Sequence, residues 1–216
     1  WDRIRNNRES LVSGNSARVW KTTDGGSTWS KLEGGLPQTP KSRIALAIDP
    51  SDGNHVIASY VNVQLDFDTL YETRDGGLSW RKNAASGIDP GFQGGFAWYF
   101  GKLRVNPYQP SDWWILGVVS YRSQDGGQTW DLVPGQNVHP DHHDVCFLGK
   151  ESFLLATDGG LYRSTDNGDN WIKTEDIPAT QFYRVAYNPF TPNDYYGGAQ
   201  DNGTVTGNAA GKNEWV

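Results

Sequence analysis

Short runs of β-prone residues alternate along the chain with turns rich in Gly, Pro, Asn and Asp. This spacing is typical of antiparallel strands joined by tight turns. The longer runs come in pairs separated by a turn, at 44–48 and 56–60, 102–105 and 113–117, 144–148 and 152–156, and 182–187 and 195–196. No apolar run approaches the length of a transmembrane helix. The pattern therefore predicts an all-β protein without a transmembrane segment.

One eight-residue motif recurs four times between these runs. Its third residue is Asp, its eighth is Trp, and Gly occupies the fifth position. The aspartates lie 51, 50 and 41 residues apart along the chain. The pairs are Asp24 and Trp29, Asp75 and Trp80, Asp125 and Trp130, and Asp166 and Trp171. Repetition at this period is the signature of an array of similar structural units.

Each unit is predicted to contain four short strands, because one β-run precedes the motif, another follows it, and two more precede every later copy. Four antiparallel strands make one blade of a β-propeller. The single domain 1–216 divides approximately into units 1–35, 36–88, 89–136, 137–176 and 177–216. We expect four fairly complete blades and part of a fifth. Since open sheet faces are costly, this indicates an arc of a larger propeller, with a small self-closing propeller as the alternative.

Local chemistry explains each residue type in the motif. Paired glycines, or Asn-Gly in the fourth copy, supply the positive φ angles of a hairpin turn. The Asp carboxylate can accept backbone N–H bonds within that turn, and the Ser or Thr before it adds a hydroxyl bond. The Trp ring anchors the turn on the sheet. We therefore interpret the four aspartates as structural, and not as catalytic or calcium-binding.

These residues resemble the Asp-box, or BNR, repeat of sialidases, xyloglucanase-type glycoside hydrolases and sortilin-type VPS10 domains. The proline turn before each later motif is most similar to the xyloglucanase-like and sortilin-like branch. The stretches 142–145, 156–164, 181–183 and 198–203 also resemble bacterial secreted propellers of that branch. The resemblance implies a β-propeller fold and a secreted or cell-surface location. For activity it implies little.

The composition argues against two classes of binding partner. The formal net charge is −6 and no long run of one charge occurs, which argues against binding to nucleic acid or anionic lipid. The chain has one cysteine, Cys146, which we predict to be a small buried residue because apolar residues surround it. No motif indicates a cofactor.

The densest polar cluster precedes the strand predicted at 144–148, where propeller channels commonly open. We take as candidate ligand-binding residues His139, Asp141, His142, His143 and Asp144. Imidazoles and carboxylates together suit a metal, acid–base chemistry or a hydrogen-bonded contact between blades. Their spacing matches no familiar metal motif, and we predict no metal site.

Two further segments are candidates. The insert 89–100 is rich in Gly and aromatics, and its Trp98 and Tyr99 could stack on sugar faces or pack beneath a loop. Gln200 and Asp201 precede the Asn202-Gly203 turn, where a structural role is the alternative to ligand binding. Asn202 also begins an N-glycosylation sequon.

Two functions remain open. The first is an exported module that binds a glycan or a protein and docks on the remaining blades of a larger propeller. The second is a glycoside hydrolase of the xyloglucanase type, which needs two opposed carboxylates. Candidate carboxylates include Asp66, Asp68, Asp141 and Asp144, and an extended run would turn the first two to one face. None lies in a recognisable catalytic motif, so the catalytic residues stay unknown.

Overall fold

The computed structural model describes residues 3–6, 9–175, 177 and 180–208. All regular elements of this part of the chain are β-strands, so the prediction of an all-β fold is confirmed. None of the described residues forms a helix long and apolar enough to cross a membrane.

Three antiparallel four-stranded sheets form the middle of the structure, each in simple meander order. Sheet 2 contains β5 (Ile44–Asp49), β6 (Asp52–Val61), β7 (Phe67–Thr73) and β8 (Arg81–Asn83). Sheet 3 contains β9 (Lys102–Asn106), β10 (Gln109–Leu116), β11 (Ser120–Ser123) and β12 (Asp131–Leu132). Sheet 4 contains β13 (His142–Phe147), β14 (Phe153–Thr157), β15 (Gly160–Ser164) and β16 (Ile172–Lys173).

Smaller sheets flank these three. Before them come the hairpin β1 (Ile4–Arg5) and β2 (Ser10–Leu11), and sheet 1, formed by β3 (Trp20–Lys21) and β4 (Ser30–Lys31). After them comes sheet 5, formed by β17 (Phe182–Tyr187), β18 (Asp194–Ala199) and β19 (Thr204–Asn208). Each four-stranded meander has the strand count and order of a propeller blade, as the repeat predicts.

The four motif turns share one hydrogen-bond pattern, which we call the aspartate turn. In the third copy, the Ser123 hydroxyl donates to Asp125 Oδ1 over 2.7 Å and accepts from Gly127 N over 2.8 Å. The backbone N–H and the hydroxyl of Thr129 then donate to the two carboxylate oxygens over 2.9 and 2.6 Å. Both Gly126 and Gly127 have positive φ, as does Asn167 in the fourth copy. The turn chemistry predicted from the sequence is thus observed.

Hydrogen bonding changes the acidity of these aspartates. Bonds from the Thr28 hydroxyl and backbone lower the pKa of Asp24 to about 2. Partial burial would raise the pKa of Asp125, but bonds from Thr129 and Ser123 outweigh it and lower that pKa to about 2. A carboxylate that accepts several hydrogen bonds is a weak base. These aspartates are therefore ionised at neutral pH, where they act as hydrogen-bond acceptors within their turns.

Each buried motif Trp packs between its own sheet and the sheet before it. Trp80 lies in one buried cluster with Val19 of the first unit, with Leu36 of the loop that follows sheet 1, and with Tyr60 of sheet 2. Trp130 lies among apolar side chains of sheets 2 and 3, and Trp171 lies among those of sheets 3 and 4. The three tryptophans are only 2–8% exposed. Trp29, which has no earlier sheet beside it among the described residues, is 57% exposed.

Backbone contacts tighten the same interfaces. Trp80 N donates to Gly34 O over 2.6 Å, and Trp130 N donates to Ser86 O over 2.8 Å. A Cβ on Gly87 would lie 2.3 Å from Trp130 O, so only glycine permits this approach. Gly87 also has a φ of 98°, which strains any other residue. The loops that leave sheets 1 and 2 are therefore each hydrogen-bonded to the Trp backbone of the next sheet.

The prediction that Cys146 is buried is wrong. Cys146 is exposed. Its neighbours Val145 and Phe147 pack into the interface between sheets 3 and 4, and alternation along β13 turns Cys146 away from that interface. Apolar neighbours in the sequence do not bury a strand residue whose own face lies uncovered.

The different burial of equivalent tryptophans gives a matched test. Trp130→Ala should destabilise the fold by about 3–5 kcal/mol, because it empties a buried interface. Trp29→Ala should change stability by no more than about 0.5 kcal/mol, because that ring is largely exposed. Urea unfolding followed by circular dichroism checks both. Equal losses in the two variants would contradict the interface role of Trp130.

Candidate functional site

A continuous set of side chains connects the loop before sheet 3, the start and a turn of sheet 4, and a turn of sheet 5. We call it the rim; it consists of Tyr99, His139, Asp141, His143, Asp158 and Asp201. Apart from Asp158, every member was a candidate from the sequence. The rim lies beside the start of β13, and the motif residue Trp171 packs between sheets 3 and 4, two of the sheets that present the rim.

His143 joins the aromatic and acidic parts of the rim. Its Nε2 lies 2.5 Å from Asp158 Oδ1, and its ring contacts those of Tyr99 and Phe100 at centroid distances of 5.8 Å. Tyr99 is 52% exposed, whereas Phe100 is buried. A ligand that reaches Tyr99 would therefore lie next to His143 and its carboxylate partner.

Three carboxylates converge at the other end of the rim. One oxygen each from Asp141, Asp158 and Asp201 can be chosen so that all three lie within 4.8 Å of one another. Partial burial raises the pKa of Asp141, and the neighbouring charges of Asp158 and Asp201 raise it further. The three carboxylates together can accept several hydrogen bonds, or they can neutralise a cationic ligand. Oxygen donors of this kind could also hold a cation.

Backbone geometry creates this convergence. Asp141, directly before β13, and Asp201, in the turn between β18 and β19, both adopt positive φ, at 65° and 56°. Asp141 N donates to Val118 O over 3.0 Å, so sheet 3 fixes the start of sheet 4. Asp158 lies in the turn between β14 and β15. Its signal in the sequence is the Asp-Gly-Gly turn at 158–160, which matches no ligand-binding motif.

His139 links sheet 4 to sheet 5. Its Nε2 lies 3.3 Å from the backbone oxygen of Asp201. A Cβ on Gly159 would lie 2.3 Å from His139 Cβ, so a glycine is needed there for the two segments to meet. Asn202 Nδ2 adds a second link by donating to Asp158 O over 3.0 Å.

Two residues of the predicted polar cluster do not contribute to the rim. His142 is 4% exposed, and its Nδ1 lies 2.7 Å from the Ser120 hydroxyl of sheet 3. Burial lowers the pKa of His142 to about 4, so this imidazole is neutral at pH 7. Asp144 forms a bidentate pair with Arg104, whose Nε and Nη2 lie 2.9 and 2.8 Å from the carboxylate. Both residues tie sheet 4 to sheet 3.

The aromatic insert 89–100 divides between packing and exposure. Phe92 and Phe100 are buried, and Phe92 packs against the rings of Phe67 and Tyr121. Phe96 and Tyr99 are more than half exposed. The Arg3 guanidinium lies 5.7 Å from the Trp98 ring centroid, which places Trp98 beneath a cation at the edge of the rim.

A cleft of about 960 Å³ separates sheets 4 and 5. Asp158, Lys173, Gln200 and Asn202 are among the residues that line it. Gln200 belongs to the cleft and not to the rim itself. The rim residue Asp158 lines the cleft, so a ligand on the rim could extend into it.

The remaining carboxylate candidates do not form a pair. Asp68 lies in β7 and binds Lys41 Nζ at 2.6 Å. Asp66 precedes that strand in a turn whose backbone Asn62 organises. The run 64–68 is therefore not extended throughout, and the premise that placed both carboxylates on one strand face is wrong.

Comparison with known proteins identifies the repeat family. The family model described as Photosynthesis system II assembly factor YCF48, of BNR type, matches residues 58–180. A xyloglucanase, Xgh74A, of Acetivibrio thermocellus is 31% identical over 206 residues, which cover 79% of this chain and 24% of the relative. The photosystem II assembly lipoprotein Ycf48 of a Synechococcus strain is 29% identical over 106 residues, covering 47% of this chain and 29% of the relative.

Among solved structures, an ancestral GH74 enzyme matches 94% of this chain and 28% of its own, with 15% identity and a TM-score of 0.53. At that identity the match bears on the fold alone. The chain spans about a quarter of the length of the xyloglucanases that it matches. The comparisons support a BNR-type propeller with xyloglucanase relatives, and they do not show the sortilin-like branch.

The buried His142 predicts a pH effect on stability. Its pKa of 6.5 when unfolded falls to about 4 when folded, so the unfolded state binds more protons between these values. The contribution of neutral His142 to the free energy of unfolding is fully present above pH 6.5. It declines as the pH falls towards 4, by up to roughly 3 kcal/mol. Urea unfolding across this range should show a shallower decline in His142→Gln than in the wild type.

His139→Gln is the matched control and should keep the wild-type decline, because His139 is only partly buried. NMR titration of the wild-type histidines gives the same information if His142→Gln does not fold. A His142 pKa near 6.5 would contradict the assignment.

Proposed function

Since the chain belongs to the BNR-repeat family described as photosystem II assembly factor YCF48, we propose that it is a binding module that holds a peptide or a glycan at the rim. The observation that carries the proposal is the contact series from exposed Tyr99 through His143 to the three carboxylates. An aromatic face beside hydrogen-bond acceptors can stack on a sugar or on a side chain and fix its orientation.

The charges of the rim favour a ligand with donor groups. Hydroxyls of a glycan, or the ammonium and guanidinium groups of a peptide, can donate to Asp141, Asp158 and Asp201. An anionic ligand would meet repulsion from the same groups and from the net charge of −6. Backbone contacts from sheets 3 to 5 fix the positions of the rim residues, so little ordering is required on binding.

We also propose that the chain forms an arc of a larger propeller, composed of the five units derived from the repeat. The exposed Trp29 supports this, because each equivalent Trp lies against a preceding sheet. A further blade beside sheet 1 would cover that ring in the same way. The lipoprotein relative supports an exported location, at the cell surface or beyond it.

Glycan hydrolysis is the second candidate function, because xyloglucanases are among the relatives. An inverting glycosidase needs carboxylates about 6.5–9.5 Å apart, with room for water between them. The rim carboxylate oxygens can lie within 4.8 Å of one another, which is closer than that geometry and also closer than the roughly 5–5.5 Å of a retaining glycosidase. The described residues therefore favour binding over hydrolysis, and a catalytic pair would require carboxylates elsewhere in a longer protein.

The test is calorimetric titration of the protein with xyloglucan oligosaccharides and with a set of cationic peptides. Tyr99→Ala should weaken binding of the responding probe by about 10-fold or more, as loss of one stacked ring removes about 1–2 kcal/mol. Asp158→Asn should weaken it as well, because it removes the charge that His143 contacts. Reducing-sugar release from xyloglucan is measured in parallel.

Tyr108→Ala is the matched control. Tyr108 is as exposed as Tyr99, at 56%, but it lies in the turn at the opposite end of β9. It should bind like the wild type. Equal weakening in the Tyr99 and Tyr108 variants would contradict a binding role for the rim, and sustained sugar release would favour the hydrolase.

A further inference from the structure

Two Asn-Gly pairs occur in the chain, Asn167-Gly168 and Asn202-Gly203. This dipeptide is prone to deamidation because the glycine has no Cβ to hinder attack on the Asn side chain and its backbone is mobile. The two pairs differ sharply in how the fold holds them. We propose that Asn202 is a site of spontaneous deamidation, and that its product weakens the junction between sheets 4 and 5.

The reaction needs only water. The backbone nitrogen of Gly203 loses its proton and attacks Asn202 Cγ; a C–N bond forms, the Cγ–Nδ2 bond breaks, and ammonia leaves with that proton. Water then opens the resulting succinimide ring at either carbonyl. The products are aspartate, or isoaspartate with one extra carbon in the backbone. Reaction therefore requires a Gly nitrogen that is free to approach Cγ.

The fold blocks this approach at Asn167. Gly168 N donates to the Ser164 hydroxyl over 2.9 Å within the fourth aspartate turn, and Gly168 is buried. Arg122 holds the Asn167 side chain through an Nη2 to Oδ1 bond of 2.7 Å. Its Nη1 also donates to Asn167 O over 2.5 Å. Attack would require several of these bonds to break together.

Asn202 is held much less firmly. Asn202 and Gly203 are exposed, and a Cβ on Gly203 would meet no atom within 4 Å. Among the described residues, Gly203 N donates no hydrogen bond, although Gly203 O accepts one from Ala199 N. Only the side-chain amide is restrained, because Nδ2 donates to Gln200 O over 2.7 Å and to Asp158 O over 3.0 Å.

Deamidation would remove both of those bonds, since a carboxylate has no hydrogen to donate. Among the described residues, the Asn202 bond to Asp158 is one of two hydrogen bonds that connect the segments of sheets 4 and 5, with that of His139 to Asp201. The product also adds a negative charge beside Asp141, Asp158 and Asp201. Loss of a donor and gain of repulsion both favour opening of the junction.

Peptide mapping by mass spectrometry tests the reactivity. The intact protein is incubated at mildly alkaline pH and then digested. The peptides that contain Asn202 and Asn167 are followed for the mass change that replacement of NH2 by OH produces, and for isoaspartate. Asn202 should react at least about tenfold faster than Asn167, the protection that one or two hydrogen bonds provide. In urea both sites should react at similar rates, because the protecting contacts are gone.

Asn202→Asp tests the consequence. Amide hydrogen exchange in β18 and β19 should be faster in this variant than in the wild type, while exchange in sheet 2 stays unchanged. Similar reaction rates at the two asparagines in the native protein would overturn the assignment of Asn202. Unchanged exchange in β18 and β19 would overturn its effect on the junction.

Discussion

Packing of a tryptophan against the preceding sheet is the interaction on which the structure depends. The outer strands of the four-stranded sheets are short, and β8, β12 and β16 contain two or three residues each. A single sheet of this size cannot bury both of its faces. Stacking sheets side by side creates the buried interfaces, and each motif Trp fills one of them. The aspartate turn holds that Trp in place, so the conspicuous carboxylates serve the fold.

The rim is a consequence of the same stacking. Its residues come from the loop before sheet 3, from the start and a turn of sheet 4, and from a turn of sheet 5. These segments are separated in the sequence, and the fold brings them together. His142 and Asp144 fix the relative positions of sheets 3 and 4 through Ser120 and Arg104. The residues between and around them are then free to face a ligand. A rigid arc thus presents a polar and aromatic edge, which suits a binding module.

Much of the fold could be predicted because its determinants are local. The strands at 44–48, 102–105 and 182–187 were located by pattern, and the aspartate turns by their residue types. Whether an individual side chain is buried or exposed depends on contacts between sheets, and a sequence pattern does not reveal those contacts. Cys146 is therefore exposed, and His142 and Asp144 face sheet 3, where a β-bulge between them alters the alternation. Asp158 joins the rim through its contact with His143 and its approach to Asp141 and Asp201, all of which depend on the fold.

Hydrogen exchange in an Asp125→Ala variant measures most directly whether the aspartate turn holds the sheets together. The amides of Gln128 and Thr129 both donate to this carboxylate in the wild type. We expect both amides to exchange faster in the variant, and we expect the Trp130 backbone N–H, which bonds to Ser86 of the preceding unit, to lose protection with them. Wild-type protection at all three amides would contradict the structural role assigned to the turn.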